Sequence, residues 1–166
     1  MLQRLLERIC NDLHLDADRM LHNSFMVSAD NAHALHPNHP EYSDSANAPL
    51  LGGGVVLKFN ANQRYTTDGV SAAVFRKCCT DAGVPVQTYY NRADLPGGST
   101  LGCISLGHVS VLSADIGLPQ LAMHSCYETA ALSDGRALEQ AMAAFYSAHL
   151  VQNEDGTVKI CQNNQK

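Results

Sequence analysis

One imidazole, His124, lies in the stretch Leu118 to Thr129 (LPQLAMHSCYET), between a rigid turn at Pro119 and a candidate helix start at Ser125. Far upstream, in VSADNAHALHPNHP, Asp30 closes an apolar run and is followed within nine residues by His33, His36 and His39. A carboxylate with several imidazoles is a donor set that zinc accepts. The same residues also fit a polar surface loop with one hydrogen-bonded histidine, and spacing alone leaves both readings open. Lys58 interrupts the apolar run VVLKF, where an ammonium needs an anion or a route to water. The turn PGGST at 96–100 exposes backbone amides suited to a carboxylate or peptide oxygen, although a plain tight turn has the same composition.

These residues need elements to hold them. Residues 1–14 place Leu2, Leu5, Leu6, Ile9, Cys10 and Leu13 at helical spacing, which predicts an amphipathic packing helix, and a second short helical piece covers Ala17 to His22. Ser24 to Ala29 has strand length and ends at Asp30, the kind of strand end where α/β folds carry chemistry. His36 to Gly54, with three prolines and a glycine triplet, reads as a long surface loop. Val55 to Phe59 predicts a central strand. Thr67 caps a helix to about Ala82, with Gly83 as its stop, and Val86 to Tyr90 is the next strand. Val109 to Ile116 is another strand, and Ser133 or Asp134 caps a last helix through about His149. The polar tail from Gln152 is expected to fray, with TVKIC as a candidate edge strand. The alternation predicts a layered α/β/α sandwich with a mostly parallel or mixed sheet, residues 1–150 forming the domain and 151–166 the tail.

Composition narrows the function classes. The chain has 166 residues, suited to one domain, and a net charge of −5 with scattered Lys and Arg, which gives no basic footprint for nucleic acid or an anionic membrane. The six cysteines show no CxxC spacing, so reduced thiols and a cytoplasmic location are expected. The N-terminal segment mixes charges through its apolar positions and reads as neither a signal sequence nor a membrane span.

Four segments in order, SADNAHALHPN (28–38), VVLKFNANQRYTT (55–67), GGSTLG (97–102) and DIGLPQLAMHSCYET (115–129), strongly resemble the C-terminal part of the M18 aspartyl aminopeptidases, over about residues 1–150. The resemblance implies a zinc-exopeptidase catalytic domain that, in full-length relatives, assembles as a dodecamer and removes N-terminal Asp or Glu from peptides. It implies Asp30 as ligand of one zinc ion and His124 of the other. It further implies Lys58 facing the acidic side chain of the substrate, Tyr65, Gly98, Ser99 and Thr100 lining the pocket, and His33 near the bound residue. In such a dinuclear site the two ions, about 3.5–4 Å apart, activate a water and polarise the scissile carbonyl. The first metal histidine, the bridging aspartate and the adjacent glutamate pair of the family have no counterpart in 1–166. No catalytic acid or base is therefore assigned, and the chain by itself is expected to be inactive and to depend on the N-terminal part of the same enzyme. The alternative is a non-catalytic binding or assembly module that keeps the fold.

Overall fold

In the computed structural model, which describes residues 1–153 and 155–162, the chain opens with helix α1 (Leu2–Asp12), helix α2 (Ala17–His22) and strand β1 (Phe25–His33). A long loop with one 3-10 turn leads to strand β2 (Val55–Phe59), helix α3 (Gly69–Asp81) and strand β3 (Val86–Tyr90). Helix α4 (Leu101–Leu106), strand β4 (Leu112–Leu121), the two-residue strand β5 (Thr129–Ala130) and helix α5 (Leu132–Ser147) follow. A hairpin, β6 (Ala148–Gln152) and β7 (Val158–Gln162), ends the described chain.

The main sheet has the order β1-β4-β2-β3, with β5 on the end of β4. Strands β1 and β4 run parallel, as do β2 and β3, but β2 meets β4 antiparallel, with Val56 opposite Gly117 and Leu57 opposite Ile116. The sheet is thus mixed, and its two halves point their carboxyl ends in opposite directions.

Side-chain alternation along these strands divides the sheet into two faces. Val55, Leu57, Ala114 and Ile116 turn to one face, beneath Ala72, Phe75 and Cys79 of α3 and Ala137 and Ala141 of α5. Phe145 of α5 closes this core edge-on to Phe25, with ring centroids 5.4 Å apart. The intervening residues, Val56, Lys58 and Asp115, turn to the other face, where Val56 packs with Ala32, Tyr65 and Tyr89. The short α4 lies on that second face, with Gly102 against Asp115 and Ser28.

Several boundaries differ from the sequence reading for identifiable reasons. The cap of α3 is Asp68 in a reciprocal capping box with Ser71, because the Thr67 hydroxyl is taken by the main chain of Asp115. Gly83, at φ +68, does follow the end of that helix. Strand β4 starts and ends later than expected and runs through Pro119, so Pro119 is a buried strand residue and not a turn, and no helix starts at Ser125. Strand β1 continues past Asp30 to His33. Neither Ser133 nor Asp134 caps α5; Asp134 is wholly buried and accepts hydrogen bonds from the amides of Gly52 (2.8 Å) and Gly54 (2.9 Å). The TVKIC segment pairs with β6 in its own hairpin instead of extending the main sheet. Helix α1 buries only Cys10 and leaves Leu2, Leu5, Ile9 and Leu13 exposed. No helix among the described residues is long and apolar enough to cross a membrane.

Candidate functional site

Lys58 is the side chain around which the second face is organised. Alternation in VVLKF carries it away from the helices, yet it is 2% exposed. Its Nζ donates to the backbone carbonyl of Asn31 at 3.1 Å, stands 3.8 Å from Asp30 Oδ2 and lies 5.0 Å from the centre of the Tyr65 ring. One hydrogen bond and one long ion pair leave much of a buried ammonium's donor capacity unfilled. Burial lowers the Lys58 pKa, while Asp30 and then Asp115 oppose that shift.

The open side of Lys58 faces a cavity of about 410 Å³. All the site residues singled out in the sequence line it: Asp30, His33, Lys58, Tyr65, Gly98, Ser99, Thr100 and His124. The cavity gathers chain from the end of β1, the middle of β2 and the loops after β2, β3 and β4. It opens over one face of the sheet, not at a shared carboxyl edge, because β2 and β3 run against β1 and β4.

Asp30 is exposed, with Oδ1 accepting from the Asn31 amide at 2.7 Å. His124 is also exposed and sits at φ +71, a left-handed backbone that a non-glycine residue adopts only where its surroundings hold it. Its amide is held by Glu128 Oε1 at 2.6 Å. Strained backbone and this bond thus do the placing that Pro119 was expected to do. The His33 pKa is lowered by partial burial first, then by His124 and Lys58, with Asp30 pulling it back. Tyr65 is buried, and desolvation pushes its pKa up, reinforced by Tyr89, Asp115 and Asp30, so its phenol stays neutral. The Thr100 side chain is 6% exposed and its hydroxyl donates to Asp115 Oδ1 at 2.6 Å, leaving Gly98 and Ser99 as the exposed part of the turn.

The rings of His36 and His39 in the β1–β2 loop lie 5.7 Å apart, each with its own local partner. His36 Nδ1 accepts from the Asn38 amide, while His39 pairs with Glu41 at 3.0 Å and stacks on Tyr42. Among the described residues no group of three or more His, Cys, Asp or Glu is placed to hold a metal ion. A zinc site needs at least three protein ligands. Asp30 and His124 have the right donor chemistry for such an ion, but the described residues do not place a third ligand with them.

Sequence reasoning missed three contributors. Asp115, in the apolar run of β4, is as conspicuous as Lys58 in β2 and carries the same signal of a charge in a central strand. Asp115 lies behind Thr100 of the cavity wall, whereas Tyr89 and Arg92 line the cavity itself, with Arg92 held by Asp94 through two bonds of 2.7 and 2.8 Å. Nothing in the local sequence of Tyr89 or Arg92 marks them, since the approach of a strand residue such as Tyr89 or a loop residue such as Arg92 to a cavity depends on tertiary contacts.

Residues 1–146 match the family described as aminopeptidase I zinc metalloprotease (M18). A probable M18 family aminopeptidase 2 of Pseudomonas paraeruginosa is 43% identical over 146 residues, covering 86% of this chain and 34% of that protein. Among solved structures, the fold matches one chain of the Ape4 and Nbr1 complex with a TM-score of 0.84 at 37% identity, over 88% of this chain and 28% of that one. It also matches the mApe1 dodecamer of S. cerevisiae with a TM-score of 0.71 at 25% identity, over 80% of this chain and 28% of that one. The chain therefore spans about a third of the length of the curated relatives it matches. With a family match over most of its length and the same fold in solved relatives, the chain belongs to the M18 family of zinc aminopeptidases.

Proposed function

We propose that this chain forms the C-terminal part of the catalytic domain of a zinc aminopeptidase that removes N-terminal Asp or Glu from peptides, and that the 166 residues are inactive by themselves. The observation that carries the specificity is Lys58, buried at the floor of the cavity with only a carbonyl in hydrogen-bond range. A carboxylate entering the cavity supplies the missing partner, whereas an apolar side chain would leave the ammonium underpaired. Tyr65 offers a neutral phenol and ring beside it, and the exposed amides of the Gly98–Ser99 turn suit a carboxylate or peptide oxygen.

Asp30 and His124 each serve one ion of a zinc pair whose remaining ligands, with the general base, belong to the part of its relatives that this chain does not cover. When bound, the zinc pair activates water and polarises the carbonyl to be attacked. The residues of this chain orient the substrate: Lys58 takes the acidic side chain, His33 stands beside the bound residue, and the 98–100 turn closes the wall. The enzyme works as a homo-oligomer, a dodecamer as in the solved mApe1 assembly, and in the cytoplasm.

The test compares aspartyl- and leucyl-anilide hydrolysis by the complete enzyme carrying Lys58 or Lys58→Met, alongside zinc titration of the 166-residue chain. Expected are a loss of kcat/KM on the aspartyl substrate far greater than on the leucyl one, and neither turnover nor a stoichiometric zinc pair in the chain alone. An equal loss on both substrates removes Lys58 from specificity, and turnover by the chain alone overturns the division of the site.

A further inference from the structure

Asp115 opens the 115–129 segment but has no role in the proposed chemistry, and its side chain is 0% exposed. Oδ2 accepts from the Thr66 amide at 2.6 Å and the Thr66 hydroxyl at 2.9 Å, and Oδ1 accepts from the Thr100 hydroxyl at 2.6 Å. The backbone of Asp115 exchanges hydrogen bonds with the Thr67 hydroxyl, and Ser113, two residues earlier on the same face, meets Thr66 Oγ1 at 3.0 Å. Residues 65–67 and 97–100 lie outside helices and strands, so no sheet or helix ladder sets their separation. They form two walls of the cavity, one carrying Tyr65 and the other the Gly98–Ser99 turn.

We infer that Asp115 is a positioning residue of the proposed aminopeptidase site: it ties the Tyr65–Thr67 segment to the Thr100 end of the glycine turn and so sets the spacing of the two walls between which the substrate residue lies. This inference rests on the aminopeptidase reading above. A buried carboxylate costs folding free energy unless its lone pairs are filled, and a sheet position needing only packing would carry an apolar residue like the neighbouring Ala114 or Ile116. Here the lone pairs are filled by the two walls. One pair beyond Leu57 and Ile116 the antiparallel register sets Lys58 opposite Asp115, yet the ion pair of Lys58 is with Asp30, on the cavity side. Because Asp115 is saturated by threonines, Lys58 keeps donors for an incoming carboxylate. The seat of α4 depends on the same group, since a Cβ at Gly102 would stand 2.9 Å from Asp115 Oδ2 and 2.9 Å from Ser28 Oγ.

Two measurements test the inference. Hydrogen exchange on the 166-residue chain compares Asp115→Ala and Thr100→Val with the unsubstituted protein. Asp115→Ala should speed exchange in both 65–68 and 97–102 while the middle of α3 stays protected, and Thr100→Val should speed only 97–102. Uniform acceleration that includes α3, or release of one wall only by Asp115→Ala, overturns the coupling. Steady-state kinetics in the complete enzyme then separate positioning from plain stability. Thr100→Val should raise KM for aspartyl-anilide on the order of tenfold, the loss expected of one hydrogen bond to a charged group, with a smaller change in kcat. Thr100→Ser should restore KM, because it returns the hydroxyl. A Ser variant as impaired as Val, or a fall in kcat at unchanged KM, overturns the positioning role. If the unsubstituted complete enzyme hydrolyses no aminoacyl substrate, the aminopeptidase reading fails, and the exchange result alone upholds or overturns Asp115 as the tie between the walls.

Discussion

The two faces of the central sheet are built from the same strands by opposite rules. On one, Val55, Leu57, Ala114 and Ile116 meet Phe75, Ala137 and Ala141 with no charged group in the cluster. On the other, alternate residues of those strands are Lys58, Asp115 and Ser113, covered by loops bearing Tyr65, Thr66 and Thr100. The first face uses shape and apolar area, which are tolerant of sequence as long as volume is kept. The second uses buried polar groups that must all be satisfied together, and it leaves one of them, Lys58, incompletely so. Apolar packing and the proposed selectivity thus fall on opposite sides of one sheet, a single residue apart in sequence.

The sharpest way to break this comparison is a large deletion on each side. Phe75, 0% exposed between the sheet and Phe145, should lose about 3–5 kcal/mol of stability as Phe75→Ala. Chemical denaturation of the chain checks it. A loss as small as that of a surface residue would mean that α3 is not the main cover of the sheet.

Asp134 links the helical side to the loop bearing His36, His39 and Tyr42, which reaches the cavity. Its carboxylate accepts two amide hydrogen bonds in a fully buried setting, so Asp134→Ala should cost about 1.5–3 kcal/mol, the range for hydrogen bonds to charged groups. Asp134→Asn should cost less, because one oxygen still accepts. Urea midpoints of the two variants decide it, and equal losses would show that packing, not hydrogen bonding, holds the loop.

Much of this division was legible in the sequence, and the rest was hidden for physical reasons. The period-two pattern of VVLKF announces both a central strand and a lysine on the face opposite Leu57. Asp30 and His124, far apart in sequence, do line one cavity. The direction of β2 against β4 was not legible, because local composition does not record which distant strand a segment pairs with. Among Thr66, Thr67 and Asp68 all three residue types cap helices, and the choice fell to Asp68 only because β4 claims the Thr67 hydroxyl and Asp115 the Thr66 one. Asp134 reads as a helix cap for the same reason that it is not one: its acceptor oxygens serve amides 80 and 82 residues away. The exposed apolar stripe of α1 is a case where the periodicity was right and the burial inferred from it was not.

Lys58→Met should sharpen the contrast by doing little to folding. Replacing a buried charge with an apolar side chain of similar length removes an incompletely paired ammonium, and such changes are neutral or stabilising as often as not, so a shift within about 1 kcal/mol is expected. Thermal or urea unfolding of the chain measures it. A loss comparable to that of Phe75→Ala would make Lys58 a structural residue and blur the two faces into one.

The smallest effect expected concerns the thiols behind the helical face. Cys79 is 0% exposed, and desolvation, with Cys78 beside it, pushes its pKa up to about 12. A thiol whose pKa is higher folded than unfolded keeps its full contribution below the unfolded value. That contribution is lost as pH rises, because the unfolded chain ionises first and is favoured. Stability should therefore decline as pH climbs past the ordinary thiol range. Tyr65 and Tyr89, also shifted upward, act in the same direction, and Lys58, shifted downward, acts in the opposite one. Cys79→Ala separates the thiol from these: between about pH 8 and about pH 10 the variant should lose less stability than the unsubstituted chain, although it begins lower because it leaves a small cavity. The same burial predicts that a thiol reagent labels the exposed Cys126 and Cys161 in the folded protein and reaches Cys79 only on unfolding. Rapid native labelling of Cys79 would show that α3 lifts from the sheet readily, and the helical face would then be no more rigid than the loops over the cavity.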